Sequence, residues 1–123
     1  MKIITINPIS FKYLGILKSE WLKGNMPEVM YDMGGNRLTK ENVTNGHMLA
    51  KSKGGKTKNS NLMLETREYN QLRADLPFSL FYTKEGFERY CEPFKKIRLP
   101  KFNGMEYVKQ ITEQAKRLLE QGK

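Results

Sequence analysis

The sequence predicts an α+β fold in which a short β-hairpin and a helix are flanked by further helices. Three observations support this prediction. Residues 37–55 are rich in turn formers and include strand-like β-branched residues. Residues 59–74 have apolar side chains at helical spacing. Two later segments, 84–91 and 103–121, each begin next to a residue that commonly caps a helix.

The composition is that of one basic domain spanning residues 1–123. Hydrophobic residues make up 38% and charged residues 28% of the chain, which allows a modest core. Lys and Arg number 22 against 13 Asp and Glu, giving a net charge of +9. Such a charge favours polyanions, and nucleic acid is the expected partner. An anionic membrane surface is the alternative, but Glu is interspersed with Lys in the C-terminal helix, which disfavours it.

No segment predicts membrane insertion. The longest apolar stretches, such as 78–82, are too short to cross a bilayer. Residues 1–6 lack the apolar run of a signal peptide, so we expect a cytoplasmic protein. Cys91 is the only cysteine, which excludes an internal disulfide and a cysteine-built zinc site. We expect it to be a small buried apolar side chain.

The N-terminal part predicts a short edge strand followed by a helix. Residues 1–6 alternate weakly, as an edge strand would. Residues 11–22 have apolar side chains at helical spacing, and Gly24-Asn25 is a typical helix end. A short extended piece is expected at 28–31.

The central part contains a turn signal and a predicted helix. Asn45-Gly46 is a favoured two-residue hairpin turn, which would explain Gly46 by a positive φ. Residues 59–74 predict a helix with Ser60 or Asn61 as its N-cap. Asp75-Leu76-Pro77 would end it.

A C-terminal helical extension is predicted over residues 83–121. Thr83 would cap a helix over 84–91. Asn103 and Glu106 form a predicted capping box that opens the last helix. The apolar face expected to pack on the core consists of Met105, Val108, Ile111, Ala115, Leu118 and Leu119.

The spacing of polar residues after His47 carries the strongest functional signal. Ser52 follows five residues later, Gly54-Gly55 follow at seven and eight, Asn61 at fourteen, and Asn70 nine beyond that. In this spacing the sequence resembles the HNH endonuclease family, over about residues 31–77. The resemblance implies a small ββα-metal module, a short hairpin plus a helix that begins at the Asn-Leu pair, with flanking N- and C-terminal helices.

The resemblance also implies a role for each residue of the motif. Hydrolysis of a phosphodiester needs a base to activate water and a cation to stabilise the leaving oxygen. His47 would be the general base, Asn61 would orient its imidazole through a hydrogen bond, and Asn70 would bind Mg²⁺ or another divalent cation. The implied activity is a metal-dependent endonuclease acting on DNA. Phosphate contacts are assigned to Lys51, Lys53, Lys56, Lys58, Arg67 and Arg73.

The residue before the base departs from the family pattern. The family usually has Asp there, sometimes His, and this residue binds the metal, whereas this chain has Gly46. Losing that carboxylate should weaken Mg²⁺ binding. Asp32, Asn45 and Glu68 are candidates to replace it.

A second departure concerns zinc. Many members of the family bind structural zinc through two Cys-x-x-Cys pairs. The corresponding positions here are Tyr31 with Gly34 and Thr66 with Tyr69, so no structural zinc is expected. Packing by Tyr31, Tyr69 and the flanking helices would have to hold the module instead.

Two other functions stay open. A catalytically degenerate HNH-fold protein would bind DNA or a protein partner without cleaving. A ribosome-associated RNA-binding protein is a third reading, although the chain lacks an RNA-recognition or KH signature. Small stand-alone HNH proteins are frequent in bacteriophages, so the resemblance is compatible with a phage protein located in the host cytoplasm.

Overall fold

The computed structural model describes residues 17–123, and its N-terminal element there is a helix. Helix α1 covers residues 17–22 of the described part, and Leu17 and Trp21 are buried. Gly24, with φ +82°, follows its end, as predicted. The predicted edge strand over 1–6 and the first part of the predicted helix over 11–22 lie outside the described residues.

An antiparallel hairpin followed by a helix forms the centre of the fold. Strand β1 (Val43–His47) pairs with strand β2 (Leu62–Thr66), so that Val43 lies opposite Thr66 and His47 opposite Leu62. Helix α2 (Arg67–Arg73) begins where β2 ends and contacts both strands. The chain therefore mixes helices with a small two-stranded sheet, and the predicted α+β class is confirmed.

The prediction of one helix over residues 59–74 is wrong. A 3-10 turn (Asn59–Asn61) and strand β2 occupy its first half, and only Arg67–Arg73 is helical. Every residue of β2 is buried, because the strand pairs with β1 and has packed residues on both faces. Pairing and burial of this kind override a weak helical spacing.

Asn45-Gly46 is not a hairpin turn. Both residues lie inside β1, where Asn45 pairs with Leu64 and Gly46 with Met63. Gly46 does not have a positive φ, so a turn does not explain this glycine. The short extended piece expected at 28–31 is reduced to a single bridge between Tyr31 and Arg37.

The two C-terminal helices begin where their caps predict. The N–H of Gly86 donates to Oγ1 of Thr83 at 3.0 Å, at the start of helix α3 (Lys84–Cys91). The N–H of Glu106 donates to Oδ1 of Asn103 at 2.9 Å, at the start of the last helix. A short hairpin between the two helices consists of β3 (Arg98–Leu99) and β4 (Phe102–Asn103), and the last helix is α4 (Gly104–Glu120).

The buried face of α4 is mostly the predicted one. Its predicted members that are buried are Val108, Ile111, Ala115 and Leu118. Met105 is 46% exposed and Leu119 is 36% exposed, so these two lie at the margin of the face. Tyr107, which the apolar spacing did not include, completes it at 2% exposure.

Tyr90 and Tyr107 close the outer edge of β2. The N–H of Leu64 donates to Oη of Tyr90 at 2.8 Å, and Oη of Tyr107 donates to the carbonyl of Leu62 at 2.6 Å. The two hydroxyls are 2.8 Å apart. Helices α3 and α4 thereby satisfy backbone groups that a third strand would otherwise bind.

Asp32 joins the turn before β1 to the start of α2. This buried carboxylate accepts hydrogen bonds from the N–H of Thr66 at 3.0 Å and from its Oγ1 at 2.9 Å, and it also binds Asn36. A Cβ on Gly34 would overlap the ring of Tyr69, so these two residues pack closely. Tyr69 is buried as expected, whereas Tyr31 is 40% exposed and does not supply the predicted packing.

Two further properties follow from burial and length. Cys91 is buried, as predicted, and burial raises the pKa of its thiol to about 12. No helix between residues 17 and 123 has the length and apolar character needed to span a membrane.

Candidate functional site

Helix α2 lies along β1 and contacts it near both ends. Nδ2 of Asn70 donates to Oγ1 of Thr44 at 3.0 Å. One turn further along the helix, Nη2 of Arg73 donates to the carbonyl of His47 at 2.8 Å. The hairpin and the helix therefore bring His47 and Asn70, two of the predicted site residues, onto adjoining elements.

His47 ends β1 with a partly exposed imidazole. Its Nε2 lies 2.9 Å from Oγ1 of Thr57, in the loop between the two strands. Burial lowers the pKa of His47 below 6.5, and the positive charges of Lys51 and Arg73 lower it further. The lowered pKa favours the neutral imidazole, which is the form that can accept a proton.

Asn61 holds the loop between the strands. Its Oδ1 accepts from the N–H of Leu49 at 2.9 Å, and its Nδ2 donates to the carbonyls of Leu49 and Lys56 at 3.0 and 2.9 Å. Gln114 of α4 also donates to Oδ1, at 2.8 Å. The prediction that Asn61 hydrogen-bonds to the imidazole is wrong. The contacts above occupy its amide, and Thr57 is the partner of the His47 ring.

Asn70 is the predicted metal ligand. Since its Nδ2 binds Thr44, its Oδ1 is the atom that could face a cation. Mg²⁺ binds oxygen ligands, so the amide oxygen of Asn70 is a suitable ligand atom. Water and a substrate phosphate would supply the other ligands. Residues 17–123 hold no group of three or more His, Cys, Asp or Glu that could bind a metal ion.

Glu65 explains why residue 46 is glycine. The strand register places Glu65 opposite Thr44, and a Cβ on Gly46 would overlap Oε1 of Glu65. The carboxylate is 1% exposed, and its Oε2 accepts from Nε of Arg73 at 2.7 Å. Burial raises the pKa of Glu65 to about 7, although Arg73 acts in the opposite direction.

Sequence reasoning missed Glu65 because it placed the residue in a helix. Only the register of the hairpin, which a single sequence does not reveal, sets this carboxylate against Gly46. Of the proposed replacements for the missing Asp, Asp32 binds the start of α2 and Glu68 is exposed in the first turn of that helix. Asn45 is half-buried within β1.

Of the six predicted phosphate-contacting residues, five are exposed and one is buried. Four are exposed on the loop between β1 and β2, which we call the lysine loop: Lys51, Lys53, Lys56 and Lys58. Arg67 is also exposed, and its Nη2 donates to the carbonyl of Glu41 at 2.5 Å. The prediction that Arg73 contacts phosphate is wrong. Its side chain is 2% exposed and paired with Glu65, so it is not a surface contact for DNA.

No protein-family model, curated protein or solved structure matches this chain. The interpretation of the site therefore depends on the residues described above.

Proposed function

We propose that this protein is an HNH-type, metal-dependent endonuclease that hydrolyses DNA phosphodiester bonds with His47 as its general base. The observation that carries the proposal is the strand-loop-strand-helix order with a partly exposed imidazole, the pKa of which is lowered, at the end of β1. Asn70 stands on the helix that packs along the same strand. Four exposed lysines lie on the loop between the strands, where they can contact phosphates.

The chemistry assigned to the chain's own residues is a proton transfer. His47 takes a proton from water, the water oxygen bonds to phosphorus, and the bond to the leaving sugar oxygen breaks. Arg73 holds the backbone of His47 through its carbonyl, and Thr57 contacts the imidazole. A divalent cation held by Oδ1 of Asn70 would stabilise the charge on the leaving oxygen.

A plasmid-nicking assay tests this function. Wild type is expected to nick supercoiled DNA with Mg²⁺ or Mn²⁺ and not with EDTA. His47→Ala should lower the rate about 10²- to 10⁴-fold, the usual contribution of a general base, while binding DNA normally. Asn70→Ala should require more metal, whereas Gln71→Ala, an exposed neighbour on α2, should not. Nicking that survives in EDTA or in His47→Ala would contradict the proposal.

The rate should depend on the protonation of His47. Because the pKa of this residue is lowered from 6.5, the rate should fall to half its maximum only at a pH below 6.5. Removing a positive charge with Lys51→Ala raises the pKa of His47, so the acidic limb should move to higher pH by a few tenths of a unit. Single-turnover nicking at saturating DNA, with Lys53→Ala as the control, measures this. A half-maximal rate above pH 6.5, or equal shifts in both variants, would disagree.

A second candidate is a protein of the same fold that binds DNA or a protein partner without cleaving. The ion pair between Arg73 and Glu65 favours it, because the carboxylate lying against Gly46 is already neutralised by a buried cation. Such a protein would bind DNA with an affinity that falls steeply with salt concentration. Neither EDTA nor His47→Ala would change that affinity.

A further inference from the structure

We propose that Thr57 is the positioning residue for His47, accepting the Nε2 hydrogen so that Nδ1 faces the attacking water. This inference rests on the proposed nuclease function, since it names how the base of that reaction is oriented. Thr57 is not part of the motif from which the site was predicted. It lies on the lysine loop, between Lys56 and Lys58.

The contact has the geometry of a hydrogen bond. Oγ1 of Thr57 lies 2.9 Å from Nε2, and both residues are partly buried. The rest of His47 is fixed through its backbone, where the carbonyl accepts from Arg73. His47 is thus held at two points, its backbone from α2 and its imidazole from the loop.

The loop itself is anchored next to Thr57. Nδ2 of Asn61 donates to the carbonyl of Lys56, the residue directly before Thr57. Gln114 of α4 in turn donates to Oδ1 of Asn61. Asn61 therefore acts on His47 indirectly, because it holds the loop segment that presents the threonine hydroxyl.

The direction of the hydrogen bond decides which nitrogen is the base. If Nε2 carries the hydrogen and donates to Oγ1, the lone pair is on Nδ1. The bond then persists and strengthens when Nδ1 takes a proton, because the imidazolium is a better donor. If the hydroxyl donated to Nε2 instead, Nδ1 would carry the hydrogen and could not accept one.

The two directions predict opposite changes in the pKa of His47 when Thr57 is replaced. Thr57→Val keeps the shape of the side chain and removes the hydroxyl. The pKa should fall by about 0.5–1 unit, because an interaction that favours the charged imidazole is lost. Thr57→Ser should keep the wild-type value. The charges that face the imidazole, Lys51 and Arg73, are the same in all three proteins.

Nitrogen-15 NMR titration of the full chain measures this directly. His47 is the only histidine, so its ring signals need no assignment. At neutral pH we expect Nε2 to have the shift of a protonated nitrogen and Nδ1 that of an unprotonated one. The reverse pattern, or a pKa that rises or does not change in Thr57→Val, would overturn the proposal.

A kinetic measurement separates positioning from mere stability. Thr57→Val should lower the maximal nicking rate about 10- to 100-fold, as expected for misplacement of a catalytic group, with KM for DNA unchanged. Thr57→Ser should restore the rate. If Thr57→Val changed only KM, or if serine failed to restore the rate, the positioning role would be wrong. If the wild-type protein does not nick DNA at all, the proposed function fails. The NMR titration still decides the direction of the hydrogen bond between His47 and Thr57.

Discussion

Gly46→Asp is expected to lower the free energy of unfolding by at least about 3 kcal/mol and to leave nicking no faster than in wild type. The new Cβ would overlap Oε1 of Glu65, whose side chain is buried and paired with Arg73 and so has little room to move. Overpacking of this kind costs about 1–3 kcal/mol. A second carboxylate beside a buried one adds a further penalty. Introducing the aspartate that HNH endonucleases usually have before the base would therefore damage the fold rather than create a metal site.

Urea unfolding of a double-mutant cycle checks the explanation. Combining Gly46→Asp with Glu65→Ala removes the overlap and the charge repulsion, so the double variant should lose about 2 kcal/mol less than the sum of the single losses. Gly54→Ala is the control, since a Cβ there meets nothing and only its φ of +95° is strained. Additive losses in the cycle would show that Glu65 is not the reason for Gly46.

Arg73→Met is expected to cost about 3–5 kcal/mol at pH 8 and clearly less at pH 5. It leaves the Glu65 carboxylate buried without its cation, and an uncompensated buried charge is expensive. At low pH the carboxylate can take up a proton, which removes most of the penalty. Urea unfolding at the two pH values measures this difference, and equal losses at both would show that protonation of Glu65 does not relieve the loss of Arg73.

The stability of the wild-type protein should also depend on pH through the protonation of Glu65, but less strongly than that of Arg73→Met. Burial raises the pKa of folded Glu65 from 4.5 to about 7, so the folded state binds this proton more tightly than the unfolded state. The stability that this provides is present below pH 4.5 and is lost as the pH rises through 7. Glu65→Gln, which cannot titrate, should flatten that part of the pH profile.

Local signals in the sequence predicted local structure well. Thr83 and Asn103 cap helices because their side-chain oxygens accept from backbone groups three residues later, and this requires no distant contact. Strand β2 could not be predicted in the same way. Its pairing with β1 and its burial on both faces involve residues far away in the chain, and they outweigh a spacing that suits a helix.

In the candidate site, too, the local spacing was visible in the sequence, whereas contacts between distant residues were not. The spacing after His47 drew attention to Asn61 and Asn70, and the structure puts both in defined hydrogen bonds around the hairpin. The burial of Arg73 could not be predicted, since a single sequence does not distinguish a buried, paired arginine from an exposed one. The partner of the imidazole, Thr57, comes from a loop whose path depends on Asn61.

The tyrosine pair on β2 has a consequence for the order of folding during synthesis. The outer edge of β2 is completed by Tyr90 and Tyr107, which come 26 and 45 positions after their backbone partners Leu64 and Leu62. Until helix α4 has left the ribosome, the strand offers unpaired backbone groups to any neighbouring chain. We therefore expect the hairpin to become stable only after helix α4 has emerged from the ribosome, and an excised segment over 31–77 to be prone to self-association.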